Sequence, residues 1–157
     1  MTVSTEEYIV RKATPSDLGS TKVIADAHRH ELGFVRRPAL IRSIERREVF
    51  VAENSKGLIG FVEYHHRQDE QTTLYHIAVQ SDYRRQGVGR QLVDALIHDA
   101  GERHKGFIQL KCPIDLEANT FYEQLGFSQV SIQLGKHRHL AVWRLPLNST
   151  SIGRTRS

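Results

Sequence analysis

The stretch Leu74-Tyr75-His76-Ile77-Ala78-Val79-Gln80-Ser81-Asp82-Tyr83-Arg84-Arg85-Gln86-Gly87-Val88-Gly89-Arg90 decides how the rest of the chain is read. Its first half is β-prone. Its second half is a basic loop with two glycines. Beyond the loop, Val88, Leu92, Val93, Leu96, Ile97 and Ala100 recur at helical spacing. A strand, a loop and a helix in that order set the free N–H groups of a helix N-terminus beside Arg84, Arg85 and Arg90. The N–H groups have no intrahelical acceptor, and the helix dipole adds positive potential. Gly87 and Gly89 let backbone approach an anion with no Cβ in the way, and the arginines add charge-assisted contacts. The combination suits a pyrophosphate. Taken alone, it is equally a basic strand-to-helix turn. It is neither a Walker loop, since no Gly-Lys-Ser/Thr follows, nor a dinucleotide fingerprint, since no third glycine stands three residues on.

Working outward, β-prone runs at 49–53, 58–65 and 72–80 precede the loop. The first two are joined across Asn54-Ser55-Lys56-Gly57, a hairpin signal, and the three read as an antiparallel meander. Upstream, a strand is expected at Tyr8–Lys12. A helix then starts with Thr14 as cap, Pro15 in the first helical position and Asp17 at the reciprocal capping position. It is expected to run to about His30, with Gly33 ending the pattern. Arg37-Pro38 opens a second helix, with Leu40, Ile41 and Ile44 on one face and Arg42, Glu45, Arg46 and Glu48 on the other. Downstream, a strand at 107–112 completes a strand–helix–strand crossover. A short helix at 117–125 follows, closed by Gly126, and then strands at 128–134 and 140–146. The expected fold is one α/β (α+β) domain over residues 1–147. It has a mixed, mostly antiparallel sheet of about seven strands flanked by helices. The Ser/Thr/Gly/Arg-rich tail, 148–157, is expected to be disordered.

Composition sets outer bounds. A chain of 157 residues is the usual size of one domain. The balance of 22 Lys+Arg against 18 Asp+Glu is too even to imply nucleic acid by itself. Cys112 is the only cysteine, so an intrachain disulfide and a Cys-rich zinc site are excluded. No apolar run reaches membrane-spanning length. The first residues show no basic segment followed by an apolar one, so a cytoplasmic protein without a membrane partner is the expectation.

The segment Ile77-Ala78-Val79 followed by Tyr83-Arg84-Arg85-Gln86-Gly87-Val88-Gly89 resembles the central motif of the GNAT superfamily of N-acetyltransferases, Arg/Gln-x-x-Gly-x-Gly/Ala. A second segment resembles that family's Ala-x-x-Phe-Tyr-x-x-x-Gly-Phe: Ala118-Asn119-Thr120-Phe121-Tyr122-Glu123-Gln124-Leu125-Gly126-Phe127. The two motifs and the order of elements cover roughly residues 8 to 146. The resemblance implies acetyl-CoA as co-substrate, an amine as acceptor, and no metal. It implies that the 77–79 backbone pairs with the pantetheine arm like an added strand. Arg84, Arg85, Gln86, Gly87, Val88, Gly89 and Arg90 would hold the pyrophosphate. Asn119 would hydrogen-bond the pantetheine, and Tyr122 would give a proton to the leaving thiolate. A main-chain N–H near Val79 would stabilise the oxyanion. The purely structural alternatives are a helix cap for Asn119 and an aromatic anchor for Tyr122, with Phe121 expected in the core.

The base is left among Glu63, His65 and His76. Strict alternation puts Glu63 and His65 on one face of their strand and Tyr64 and His66 on the other. On the next strand it puts Tyr75 with Ile77, and His76 with Ala78. Glu63 and His76 are carried forward with Tyr122 as the catalytic set. Adjacent histidines facing opposite ways argue against a metal site. Cys112 reads as a small buried residue rather than a nucleophile. Arg36-Arg37 and Arg46-Arg47 fit an acidic acceptor or, more simply, a solvated helix face. His137, Arg138 and His139 are placed on the acceptor side. The acceptor stays open among a small molecule, a peptide N-terminus and a lysine, and the assembly between monomer and homodimer. The alternative function is a CoA-binding regulatory module without turnover. Nucleic-acid binding is argued against by the lack of an interleaved aromatic-basic stripe.

Overall fold

The computed structural model describes residues 7–147. The tail expected to be disordered lies outside the described residues. Strand β1 (Tyr8–Lys12) runs antiparallel to β2 (Val49–Asn54), with Tyr8 opposite Asn54 and Lys12 opposite Phe50. After β1 the backbone N–H of Thr14 donates to Asp17 Oδ2 at 2.7 Å, and the Asp17 N–H donates to the Thr14 carbonyl at 2.8 Å. These reciprocal bonds launch a short 3₁₀ turn, Pro15–Asp17, and then α1 (Leu18–Ala27).

The helix does not continue unbroken to His30. It breaks at His28 and resumes as α2 (Arg29–Leu32). The cause is local. The imidazole Nδ1 of the buried His28 sits 2.9 Å from the Ile24 carbonyl, the group its own backbone N–H would use in an α-helix. That N–H donates to the Ala25 carbonyl instead. Helix α3 (Arg37–Glu45) starts at Arg37-Pro38 as expected and buries Leu40 and Ile44. Glu48 is not on its solvated face. The helix ends before it, Arg47 takes a positive φ of 61°, and Glu48 turns inward, its N–H donating to the Ser43 carbonyl.

The β2–β3 hairpin closes through Ser55-Lys56, with Gly57 at φ 129° and the Lys56 N–H held by Asn54 Oδ1 at 2.8 Å. Next come β3 (Gly57–His66), β4 (Gln71–Val79), α4 (Val88–Glu102), β5 (Phe107–Pro113), α5 (Ala118–Gln124), β6 (Ser128–Leu134) and β7 (His139–Pro146). The seven strands hydrogen-bond in the order β1-β2-β3-β4-β5-β7-β6. β4 and β5 are parallel over Gln71–Thr73 and Phe107–Gln109, whereas β5–β7 and β6–β7 are antiparallel. The sheet is therefore mixed and largely antiparallel, as expected.

The chain forms two compact units. The first takes in the residues up to Tyr64 together with His76–Leu96. Its core is Ala13, Ile24, Ala25, Val35, Leu40, Ile44, Val49, Val51, Leu58, Phe61 and Ala78, with Leu18 and Leu32 packed against it. The second takes in His65–Tyr75 and the chain from Ile97 onward. It buries Ile108, Leu110 and Cys112 of β5, Ala141, Val142 and Trp143 of β7, and Tyr122 and Phe127. Tyr122 is the buried member of its pair, and Phe121 is only half-buried, the reverse of the expected packing. Tyr122 makes edge contacts with Phe121 at 5.4 Å and Phe127 at 5.8 Å. Among the described residues no helix is long and apolar enough to cross a membrane.

Candidate functional site

In the first unit β4 ends at Val79, a 3₁₀ turn spans Ser81–Tyr83, and α4 begins at Val88. Between them Arg85 takes φ 64° and Gly87 φ 84°. Turns of this kind point successive N–H groups to one side, forming an anion-binding concavity at a helix start. Gly87 is required for its backbone conformation rather than for space, since a Cβ built there meets nothing within 4 Å. Val88 is fully buried, so its side chain belongs to the core and only its backbone faces this task. The same holds for Ala78 in β4.

The arginines divide the work. Arg84 turns back onto the protein: its Nε lies 3.3 Å from the Val79 carbonyl and its guanidinium 3.3 Å from Glu31 of α2. Arg85 and Arg90 are exposed. Gln86 makes a long contact of 3.4 Å to the Asp82 carbonyl. Arg84 is itself exposed, so Arg84, Arg85 and Arg90 are all outward cations beside the loop that follows β4. Gly60, absent from the sequence reading, supports this strand from β3. A Cβ there would lie 2.9 Å from the Ala78 carbonyl and 3.4 Å from Leu92 Cδ1. A glycine inside a strand is the signal for such a close approach.

The first unit also joins two of the three candidate bases. His76 Nδ1 lies 2.8 Å from Glu63 Oε1, and Ser43 donates its hydroxyl to Glu63 Oε2 at 2.7 Å. Glu63 is 3% exposed. Alternation holds along β4, where His76 shares its face with the buried Thr72, Leu74 and Ala78, but it assigns faces within a strand and not the cross-strand register that sets His76 beside Glu63. Ser43 was missed as well. The available signal was helical spacing: Leu40, Ser43 and Ile44 share the buried face of α3, and a polar side chain there needs a partner.

The remaining candidates lie in the second unit. His65 stacks on Tyr75, with ring centroids 6.5 Å apart. His66 Nδ1 lies 2.8 Å from Thr72 Oγ1, and its Nε2 3.0 Å from Asp99 Oδ2. Asn119 uses both amide hydrogens within the unit, on the Pro113 carbonyl at 2.9 Å and the Leu116 carbonyl at 2.8 Å. Its Oδ1 accepts from Trp143 Nε1 at 2.8 Å. It is thus neither a simple cap nor a free donor, and only the second lone pair of Oδ1 is left to offer an amide N–H. Cys112 is buried, with Sγ 3.5 Å from the Pro113 carbonyl. Arg138 donates to Asp115 at 2.7 Å and holds that exposed carboxyl below the usual carboxylate range.

This geometry of strand, nest and helix coincides with the segment that family comparison recognises. The model of the acetyltransferase (GNAT) domain matches residues 45–129, more than half of the chain. The chain belongs to the GNAT acetyltransferase family. It is 37% identical over 65 residues to the [ribosomal protein bS18]-alanine N-acetyltransferase of Escherichia coli K12. That alignment covers 41% of this chain and 44% of the relative, so the chain spans less than half the length of the curated relatives it matches. Among solved structures, the ribosomal-protein-S18-alanine N-acetyltransferase from Escherichia coli superposes with a TM-score of 0.77 at 22% identity, over 90% of this chain and 94% of the other. An acetyltransferase of Salmonella typhimurium, solved with its cofactor acetyl-CoA, superposes with a TM-score of 0.74 at 18% identity, over 90% and 95%. At these identities the structural likeness establishes the fold alone.

Proposed function

We propose that this protein is an N-acetyltransferase that moves the acetyl group of acetyl-CoA to a primary amine by direct attack. The observation that carries the reading is the nest at the start of α4, with Arg85 and Gly87 at positive φ directly after β4. It fits a pyrophosphate: N–H groups at a helix start, the exposed Arg84, Arg85 and Arg90, and no side chain at Gly87. In this reading the backbone of Ile77 and Val79 pairs with the pantetheine arm, and Asn119 Oδ1 accepts from it. The pair Glu63–His76 takes the proton released by the amine. Tyr122 gives one to the departing thiolate.

The acceptor class is proposed as the α-amine of a polypeptide, in keeping with the names of the curated relatives, which acetylate a ribosomal protein's alanine. The test is thiol release from acetyl-CoA with four acceptors: an alanine-initiated peptide, the same peptide with a blocked N-terminus, a lysine-containing blocked peptide and a small polyamine. Transfer to the first alone supports the α-amine. Transfer only to the third or fourth moves the acceptor to a side chain or a small molecule. Tight acetyl-CoA binding with no release above background would replace the enzyme by a binding module.

A further inference from the structure

We infer that Glu31 is a positioning residue for the donor: it holds the Arg84 guanidinium beside the loop, so that Arg84 meets the pyrophosphate already oriented. The inference rests on the acetyl-transfer reading above and adds to it a residue from outside the loop, within the same compact unit. The starting point is α2 (Arg29–Leu32). Its 4 residues are too few to hold a helical turn by themselves. The turn is set off on both sides, by the break at His28 and by Gly33 at φ 75°, so the line of α1 does not dictate where it lies. None of its residues is fully buried. Side chains fasten it instead. Leu32 packs against the core of the unit, and Glu31 reaches Arg84, 53 positions away in sequence.

Arg84 is held at two points. Its Nε donates to the carbonyl of Val79, the last residue of β4, and its Nη2 donates to Glu31 Oε1, both at 3.3 Å. A guanidinium is a rigid, planar fork of N–H donors. Two bonds that arrive from different elements, β4 and α2, fix both the place and the plane of such a group. Neither bond uses Nη1, and the side chain stays 48% exposed. The end of the fork that Nη1 and Nη2 form together is thus left for a phosphate, which it can meet with two parallel bonds. Arg84 also stands where a phosphate would be met, at the head of the segment in which Arg85 and Gly87 take positive φ. At 3.3 Å the Glu31 bond is longer than the roughly 2.7–2.9 Å of a strong charge-assisted pair, so it orients the arginine without consuming its charge. A flexible side chain that has to be ordered on binding costs affinity, and one already ordered does not. The opposing effect is repulsion between the carboxylate and the anion. With the guanidinium between them and water around both, that repulsion is screened. Removing the carboxylate should therefore weaken donor binding, although it takes a negative charge away.

Calorimetry of acetyl-CoA binding to the full chain tests this. Glu31→Gln should weaken binding by about two- to fivefold, and Arg84→Gln by about tenfold. In the Arg84→Gln background, Glu31→Gln should cost nothing further, since its effect passes through the guanidinium. Glu31→Asp, which keeps the charge, should lose less than Glu31→Gln. With the acceptor identified by the panel above, the loss in Glu31→Gln should appear in the KM for acetyl-CoA and not in kcat. An affinity that is unchanged or higher in Glu31→Gln would overturn the inference while leaving the donor site in place, and the carboxylate would then be a bystander or a competing charge. An equal loss in the Arg84→Gln background would overturn it too, because the substitution would then act by disturbing α2 rather than through Arg84. If the wild-type chain binds no acetyl-CoA at all, the acetyl-transfer reading fails at its first step, and the role of Glu31 falls with it.

Discussion

Two histidine–carboxylate pairs stand on β3 and its surroundings, one in each compact unit, and they are built in opposite senses. In the first unit the carboxylate is the buried partner: the Glu63 side chain is 4% exposed and that of His76 is 26%. In the second the histidine is the buried partner: His66 is 4% exposed and Asp99 19%. His66 also commits its other nitrogen, Nδ1, to Thr72. A ring with both nitrogens engaged inside the fold ties elements together. Here it joins β3, β4 and α4. In the other pair the ring is the more exposed partner and the carboxylate the covered one. Similar chemistry in the sequence thus acquires different work through which partner the fold covers.

The largest expected effect separates the pairs. His76→Ala should cost about 10²–10⁴ in kcat, an effect far larger than the fall in melting temperature expected from taking the ring away from the buried Glu63 Oε1 while Ser43 keeps Oε2. His66→Ala should do the reverse. It removes a buried hydrogen-bonded ring and should cost about 1–3 kcal/mol of stability, read as a lower melting temperature. The folded fraction should keep its kcat. If the two variants behave alike, burial order does not distinguish a reactive pair from a structural one.

Tyr122→Phe comes next. The hydroxyl is the only atom removed, and the ring contacts to Phe121 and Phe127 survive. Turnover should fall by about 10² as a proton donor is lost, with acetyl-CoA affinity unchanged by calorimetry. Unchanged turnover with a true acceptor would leave Tyr122 as a packing residue like Phe127.

Gly87→Ala should act on binding rather than chemistry. The position holds φ 84° and has open space around it, so the added methyl clashes with nothing and strains only the backbone. The left-handed conformation costs about 1–2 kcal/mol for a residue with a Cβ. If the loop relaxes instead of bearing that strain, acetyl-CoA affinity falls by about tenfold while kcat at saturation holds. Calorimetry with acetyl-CoA and its dephosphorylated pantetheine fragment separates the cases. An equal loss for both would mean the loop does not read the pyrophosphate.

Much of this was legible in the sequence, for a reason that the exceptions show. Strands β1 and β6, the hairpin at Gly57, the start of α4 after Gly87 and the close of α5 at Gly126 are local events, each written in neighbouring residues. The succession of β4, loop and α4 is legible for the same reason. The break at His28 was hidden because a side chain competes there with its own helix for one carbonyl, which hydrophobic spacing does not register. The joining of Ser43, Glu63 and His76 was hidden because it brings together a helix end and two strands across 20 and 13 positions of sequence. Alternation gives the faces of β4 but not its register against β3, and the register is what sets His76 beside Glu63. What the sequence leaves open is therefore which partner of each pair the fold covers.

The smallest effect comes from an ion pair that has no catalytic part to play and so calibrates the others. Arg11 makes a two-pronged contact with Asp17, at 2.8 and 3.0 Å, and a single one with Glu53 at 3.0 Å. The Arg11 guanidinium, followed by the Thr14 backbone N–H, holds the Asp17 carboxyl below its ordinary value of 3.8, against the opposing effect of burial. A carboxyl depressed in the folded state contributes stability that is fully present above the unfolded value and disappears as pH falls through the folded one. Asp17→Asn should therefore lower stability by about 2 kcal/mol at neutral pH, with kcat unchanged. The gap between variant and wild type should narrow as the pH is taken below 3.8. Denaturant melts at neutral and acid pH read both quantities. A gap that persists unchanged through that window would mean that the shape of the Thr14 cap, rather than the charge on Asp17, holds the entry to α1. The His76 comparison would then need a charge-neutral control of the same kind before its loss of rate could be attributed to a proton.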